Sequence, residues 1–208
     1  MISILASSTG GAVEPLIFGH GTAKTVFDVA VLAWALFEGA NRVRQHVRSQ
    51  APSTLDPSAF VLVPCMGGAV VGAILLGKHG GLPWPGGRLW PVAAGVALIV
   101  AGAALRGWSI VTLGRMFQYW IKIQPGHRVV TGGPYRYVRH PSYTGLSLCL
   151  TGFALACGDV GSLLVMVALG GIALGTRIRV EEKQLTTALG TEYEEFAASR
   201  KRLVPGVF

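Results

Sequence analysis

The chain has 208 residues, of which 51% are hydrophobic and only 13% are charged. Soluble globular domains carry about 25% charged residues, so this composition predicts an integral membrane protein. The net charge of +8 would suggest nucleic-acid binding in a soluble protein, but here the basic residues lie between apolar segments, where membrane topology accounts for them. We therefore expect membrane lipids as neighbours and no nucleic-acid partner.

Apolar segments predict about five transmembrane helices in one membrane domain, residues 1–208, of the all-α class. Most of them approach the roughly 20 residues that cross a hydrocarbon core. In chain order they are residues 22–40, 59–77, 89–113, 142–157 and 160–175. The last two are separated only by Gly158 and Asp159, so they predict an antiparallel helical hairpin.

Three of these spans contain residues that need an explanation. Asp28 and Glu38 fall within the first span, and we interpret each as lying near a helix end or facing a neighbouring helix, with a functional role left open. Gly68 and Gly72 are four apart in the second span and would let another helix approach closely. Arg106 marks the inner end of the third span.

The distribution of Lys and Arg predicts the topology. Only Lys24, Lys78 and Arg88 lie on one side of the predicted membrane, and the other fifteen of the 18 basic residues share the opposite side. The positive-inside rule then gives an external N-terminus and a cytoplasmic C-terminus, as an odd number of spans requires.

Two polar segments, residues 115–140 and 177–208, are therefore expected on the cytoplasmic side and close together. In the second, Arg177 and Glu181 are four apart and share a helix face. Arg179 and Glu182 are three apart and form a second pair, which can be a solvated, outward-facing salt bridge.

Beyond these pairs, Gly190 predicts the end of the helix. Thr191 and Glu194 form a capping-box pattern that opens a last helix, with Tyr193 and Phe196 on its inner side. The alternative is a pair of amphipathic helices lying on the membrane surface.

Arg139 and His140 lie at a helix start set by Pro141, where unpaired backbone N–H groups favour an anion such as a carboxylate. Glu181 could balance a cation or bind a ribose hydroxyl. Together these residues favour a small zwitterionic cofactor, whereas His140 alone would more simply contact a lipid headgroup. No phosphate loop, dinucleotide fingerprint or metal-ligand spacing is present in the sequence, so we expect no metal.

An ordered set of motifs resembles the isoprenylcysteine carboxyl methyltransferase family over roughly residues 113–205. Its members are Gly133-Pro134-Tyr135, Arg139-His140-Pro141-Ser142-Tyr143-x-Gly145, Arg177-x-x-x-Glu181-Glu182, Tyr193 and Pro205. The wider superfamily includes phospholipid N-methyltransferases and, more distantly, NADPH-dependent sterol reductases. The short chain resembles compact prokaryotic members, which implies the plasma (inner) membrane.

The resemblance implies S-adenosyl-L-methionine as methyl donor and a lipophilic small-molecule acceptor that enters from the bilayer. It divides the chain into three N-terminal spans, residues 1–113, and a cofactor-binding catalytic core, residues 114–208. Arg177 is the implied catalytic residue, which contacts the acceptor. The implied cofactor-binding residues are Gln124, His127, Arg128, Val129, Val130, Tyr135, His140, Pro141, Ser142, Tyr143 and Glu181, with Gln118 as an alternative to Gln124.

Several alternatives remain open. The acceptor can be a carboxylate, as in prenylcysteine, or a phenol, amine or thiol. A phenol or amine would need a proton acceptor, for which His140 and Glu182 are candidates. A membrane reductase that uses NADPH and a non-enzymatic protein that binds lipid or a partner are the competing functions.

Overall fold

The computed structural model of the protein describes residues 17–48, 58–87, 89–119, 126 and 128–206. These residues form six α-helices and two short 3-10 helices, Gly114–Met116 and Gly133–Arg136, and none of them belongs to a β-strand. The α-helices are α1 Thr22–Arg48, α2 Ala59–His79, α3 Leu89–Leu113, α4 Pro141–Ala156, α5 Val160–Leu189 and α6 Thr191–Ser199. The predicted all-α class is confirmed.

Within the described ranges, three helical segments are long and apolar enough to cross a membrane: Ala59–His79, Leu89–Met116 and Val160–Leu189. Each predicted span falls on a helix, but α4 has only 16 residues and α1 interrupts its apolar sequence with Lys24, Asp28 and Glu38. An integral membrane protein is therefore confirmed, whereas five crossings and the orientation of the termini stay predictions.

Glycines bring α3 and α4 into backbone contact. Gly95 and Gly102 lie seven residues apart on α3, and Gly145 and Gly152 lie seven apart on α4, so each pair faces the other helix. A Cβ on Gly95 would lie 2.5 Å from the carbonyl oxygen of Gly152, and one on Gly102 would lie 2.5 Å from that of Gly145. Side chains are excluded from this contact, which holds α4 against α3.

The glycine pair singled out in the second span has a different partner. A Cβ on Gly68 would meet Leu169 at 3.6 Å and one on Gly72 would meet Val165 at 3.4 Å, both of them side chains of α5. These distances are ordinary van der Waals contact, so α2 packs on α5 through side chains.

We expect Gly102→Ala to lower the melting temperature of the detergent-purified protein. The added methyl group would overlap backbone atoms of α4, and overpacking of this kind costs about 1–3 kcal/mol. Gly171→Ala on α5 is the matched control, because a Cβ there meets nothing within 4 Å. Alanine is about 0.8–1.0 kcal/mol more favourable than glycine inside a helix, so the control should melt slightly higher. Equal melting temperatures for the two variants would contradict close packing at Gly102.

Asp159 fixes the turn between α4 and α5. Its Oδ1 accepts hydrogen bonds from the backbone N–H groups of Gly161 at 2.7 Å and Ser162 at 3.3 Å, which caps the N-terminus of α5. Its Oδ2 accepts from the backbone N–H of Leu82 at 2.9 Å, which ties the turn to the segment before α3. Three hydrogen bonds to Asp159 therefore fix the turn of the predicted hairpin.

At the other end, α5 continues to Leu189 and Gly190 ends it with a φ of 55°. The predicted capping box at Thr191 is wrong: Gly190 is the N-cap of α6, Thr191 is its first residue, and no side chain caps the helix. The physical reason is that a single residue separates the two helices, which leaves no extended position for Thr191. Tyr193 and Phe196 are buried, as the sequence predicted.

Candidate active site

A cavity of about 410 Å³ lies where α4, α5 and α6 meet the ends of α1, α2 and α3. Its volume is in the range of small-molecule sites, about 300–1,000 Å³. Residues of the segments between helices complete the wall, including Phe117, Gln118 and Tyr119 after α3. The predicted cytoplasmic segments and the hairpin therefore share one pocket.

Most residues of the predicted site line this cavity. They are Arg128, Val129, Val130, Tyr135, His140, Ser142, Tyr143, Arg177 and Glu181. Pro141 does not line it, because Pro141 is fully buried as the first residue of α4, where its ring sets the helix start. Gln124 and His127 lie outside the described residues, and the alternative glutamine, Gln118, lines the cavity.

The Tyr143 hydroxyl joins the two residues of the Arg-x-x-x-Glu motif. It donates to Glu181 Oε2 at 2.6 Å and accepts from Arg177 Nε at 3.2 Å. A guanidinium and a carboxylate on successive turns of α5 are thus aligned on one face through a residue of α4. Tyr143 therefore connects the motif around His140 on α4 with the motif around Arg177 on α5 by hydrogen bonds.

Arg177 is buried, with 3% of its surface exposed. Its Nη1 donates to Ser58 Oγ at 2.8 Å, and its Nη2 donates to the carbonyl oxygen of Tyr119. These contacts come from residues just before α2 and just after α3. They fix the plane of the guanidinium group in the cavity wall.

Glu182 does not face outward, so the solvated pair with Arg179, one alternative that the sequence left open, is not the arrangement found. One oxygen of Glu182 lies 3.2 Å from His140 Nε2 and 3.3 Å from Arg139 Nη1, and the other accepts from Arg202 Nη2 at 2.8 Å. The reason is that the chain returns after α6 to the start of α4. There the backbone N–H of His140 donates to the carbonyl oxygen of Arg202 at 2.9 Å.

A second charged network was missed by the sequence analysis of the site. Arg106, predicted at the inner end of a span, is only 4% exposed and donates to both carboxylate oxygens of Glu38. It also donates to Ser142 Oγ at 2.8 Å, while the Tyr119 hydroxyl donates to Glu38 Oε2 at 2.9 Å. Glu38 therefore faces a neighbouring helix, as expected, and α1, α3 and α4 share one ion pair. The sequence contained a signal for this pair, because Glu38 and Arg106 are opposite charges inside two apolar spans, and charges inside a membrane usually pair with each other.

Two buried polar atoms of the cavity wall have no hydrogen-bond partner among the described residues: Nε of Arg139 and the hydroxyl of Tyr193. Buried donors are almost always paired, so such atoms at a cavity indicate a ligand or water. Burial raises the pKa of the Tyr193 hydroxyl well above its ordinary value, so this group is a neutral donor at physiological pH. No cluster of three or more potential metal ligands occurs among the residues of the described ranges.

The fold and the cavity define a helical membrane protein with a partly polar cavity of small-molecule size between its helices. The sequence model of the isoprenylcysteine carboxyl methyltransferase (ICMT) family matches residues 95–187, which include most of α3, all of α4 and nearly all of α5. The resemblance seen in the motifs is confirmed for the helices that build the site.

Individual relatives agree with this match. Protein-S-isoprenylcysteine O-methyltransferases A and B of Arabidopsis thaliana are 35% and 33% identical over 121 residues, covering 57% of this chain and 61% of theirs. The protein-S-isoprenylcysteine O-methyltransferase of Schizosaccharomyces pombe is 31% identical over 114 residues, 54% of this chain and 47% of its own. The chain thus matches about three fifths or less of the length of these relatives.

Proposed function

We propose that this protein is an S-adenosyl-L-methionine-dependent membrane methyltransferase that methylates a carboxylate on a lipophilic acceptor. The observation that carries the proposal is the alignment of Arg177 and Glu181 through Tyr143 in one cavity beside an apolar wall. The relatives in Arabidopsis thaliana and Schizosaccharomyces pombe are protein-S-isoprenylcysteine O-methyltransferases, which supports the same reaction class.

The donor set of the cavity fits the cofactor. S-adenosylmethionine is a zwitterion with a sulfonium, a ribose and an adenine, so it needs an anionic acceptor group, donors for its carboxylate and an apolar surface for its base. Glu181 supplies the anionic acceptor group. The Nε of Arg139 and the hydroxyl of Tyr193 are donors that have no hydrogen-bond partner among the described residues. Leu185 and Leu189 supply the apolar surface. We propose that Glu181 and residues 128–130 hold the cofactor.

When bound, the cofactor supplies a methyl group on a positively charged sulfur, and a carboxylate oxygen can take that methyl while the sulfur keeps the bonding electron pair. A carboxylate has no proton to lose, so the chain needs no general base for this acceptor. Arg177 would hold the acceptor carboxylate by charge in a buried setting, and the fixed plane of its guanidinium would orient the reacting oxygen. Positioning and exclusion of water are then the contributions of the protein.

The cavity wall also supports a lipophilic acceptor. Leu62 and Val63 of α2, Leu146 of α4 and Leu174 of α5 line it. Val63 is at the same time 65% exposed on the outside of α2, next to exposed Phe60, so the cavity reaches the surface of a candidate membrane span. We propose that the acceptor enters there from the bilayer, with the cofactor arriving from the side that carries the basic residues.

Glu181→Gln is expected to weaken binding of S-adenosylhomocysteine to the detergent-purified protein by about tenfold, because a hydrogen bond to a charged group contributes about 1.5–3 kcal/mol. Calorimetry measures this directly, with NADPH as the control ligand. Glu195→Gln is the matched control, since Glu195 is exposed on α6. Unchanged binding in Glu181→Gln would remove Glu181 from the cofactor site.

The same titration tests the function as a whole. Binding of S-adenosylhomocysteine by the wild-type protein, followed by transfer of a labelled methyl group to a prenylated cysteine analogue or another lipophilic carboxylate, would establish the activity. Folded protein that binds NADPH and no adenosyl ligand would favour a reductase. Binding of neither would favour a non-enzymatic lipid or partner protein.

A further inference from the structure

We infer that Tyr193 and Arg139 together form the subsite for the carboxylate of the cofactor's amino-acid portion. The inference rests on the proposed cofactor and assigns to α6 a role in its recognition. Tyr193 lies beyond residues 95–187, the stretch that matches the family model.

Both side chains offer a donor to the cavity that the described residues leave unsatisfied. Tyr193 is 4% exposed, and its hydroxyl has no hydrogen-bond partner within the described ranges. The same holds for Nε of Arg139, whose Nη1 lies 3.3 Å from Glu182. An Arg N–H can only donate, so the matching ligand atom is an acceptor.

Charge favours an anionic acceptor over a neutral one. Glu182 is contacted by the guanidinium groups of both Arg139 and Arg202 and by His140, so Arg139 shares this carboxylate with a second cation. The other carboxylate of the motif, Glu181, is engaged by Tyr143. An anionic oxygen of the ligand would accept from the unsatisfied Nε of Arg139 and interact favourably with its guanidinium charge, and the carboxylate is the anionic group of the cofactor.

The local structure holds both donors in place. Gly190, with its left-handed φ, turns the chain between α5 and α6, and the ring of Tyr193 packs 6.0 Å from that of Phe196. The guanidinium group of Arg139 is held by Glu182. The backbone N–H of Arg139 donates to the carbonyl oxygen of Lys201 at 2.8 Å. A preformed pair of this kind binds a carboxylate without reordering side chains.

The test compares two ligands that differ only by the carboxylate: S-adenosylhomocysteine and its decarboxylated analogue. Calorimetry should give about a tenfold weaker Kd for S-adenosylhomocysteine in Tyr193→Phe, because one donor to a charged group is lost. The decarboxylated analogue should bind the variant and the wild type equally. Arg139→Lys, which keeps a cation beside Glu182 and deletes the Nε donor, should show the same selectivity.

Tyr137→Phe is the matched control, because Tyr137 is 50% exposed and lies outside the cavity wall. It should leave both affinities unchanged. If Tyr193→Phe and Arg139→Lys bind S-adenosylhomocysteine as the wild type does, or lose affinity for both ligands alike, the subsite assignment is overturned while the cofactor stands. If the wild type binds neither ligand, the proposed function fails and the subsite with it.

Discussion

Arg177→Ala is expected to lower the rate of methyl transfer by about two to three orders of magnitude, while S-adenosylhomocysteine binding stays within about threefold of the wild type. Removal of a single preorganised electrostatic contact to a reacting group costs about this much in kcat. Arg177 is buried in the wall of the cavity, where a guanidinium attracts an anion far more strongly than in water. Paired measurements of turnover and of calorimetric affinity separate the two effects.

Because Arg177 also donates to Ser58 and Tyr119, the alanine variant is expected to melt lower, and Arg177→Lys is the variant that keeps the charge. A lysine cannot reproduce the planar fork, so we expect it to recover only part of the rate. Arg179→Ala serves as the control, since Arg179 lies exposed two residues further along α5. A loss of cofactor affinity as large as the loss of rate would place Arg177 in the cofactor site instead of the acceptor site.

The sequence predicted the helices well because their signals are local. Each apolar run became a helix, Gly158 and Asp159 closed the hairpin, and Gly190 ended α5, since length, apolar composition and glycine conformation act over a few residues. The motifs around His140 and Arg177 also indicated which segments form the cavity. Their spacing along α5 required Arg177 and Glu181 to share a face.

What the sequence did not reveal depends on contacts between distant segments. Glu182 has a plausible partner three residues away, yet it contacts Arg139, His140 and Arg202 because the chain comes back after α6. Helical spacing shows only that a local pair is possible, and the tertiary contacts decide which pair forms. The position of Tyr193 in the cavity wall likewise follows from the one-residue turn at Gly190.

Glu38→Ala is expected to destabilise the protein by about 3–5 kcal/mol, since removing one member of a buried ion pair leaves the other charge uncompensated. The side chains of Arg106 and Glu38 are only 5% and 16% exposed. The variant also removes the carboxylate acceptor of the Tyr119 hydroxyl, and the backbone carbonyl oxygen of the same Tyr119 accepts from Arg177. The free energy of unfolding in detergent micelles, measured by denaturant titration, checks the size of the loss.

Asp28→Ala is the matched control on the same helix, because Asp28 pairs with Lys24 in an exposed position, where such pairs contribute about 0–1 kcal/mol. The double variant Glu38→Leu with Arg106→Met should recover most of the lost stability, since apolar groups of similar volume can replace a whole buried pair. It should nevertheless turn over more slowly than the wild type, because Arg106 also donates to Ser142 in the first turn of α4. Equal losses for Glu38→Ala and Asp28→Ala would mean that water reaches the Arg106 pair. Full activity in the double variant would show that this pair stabilises the fold without positioning the site.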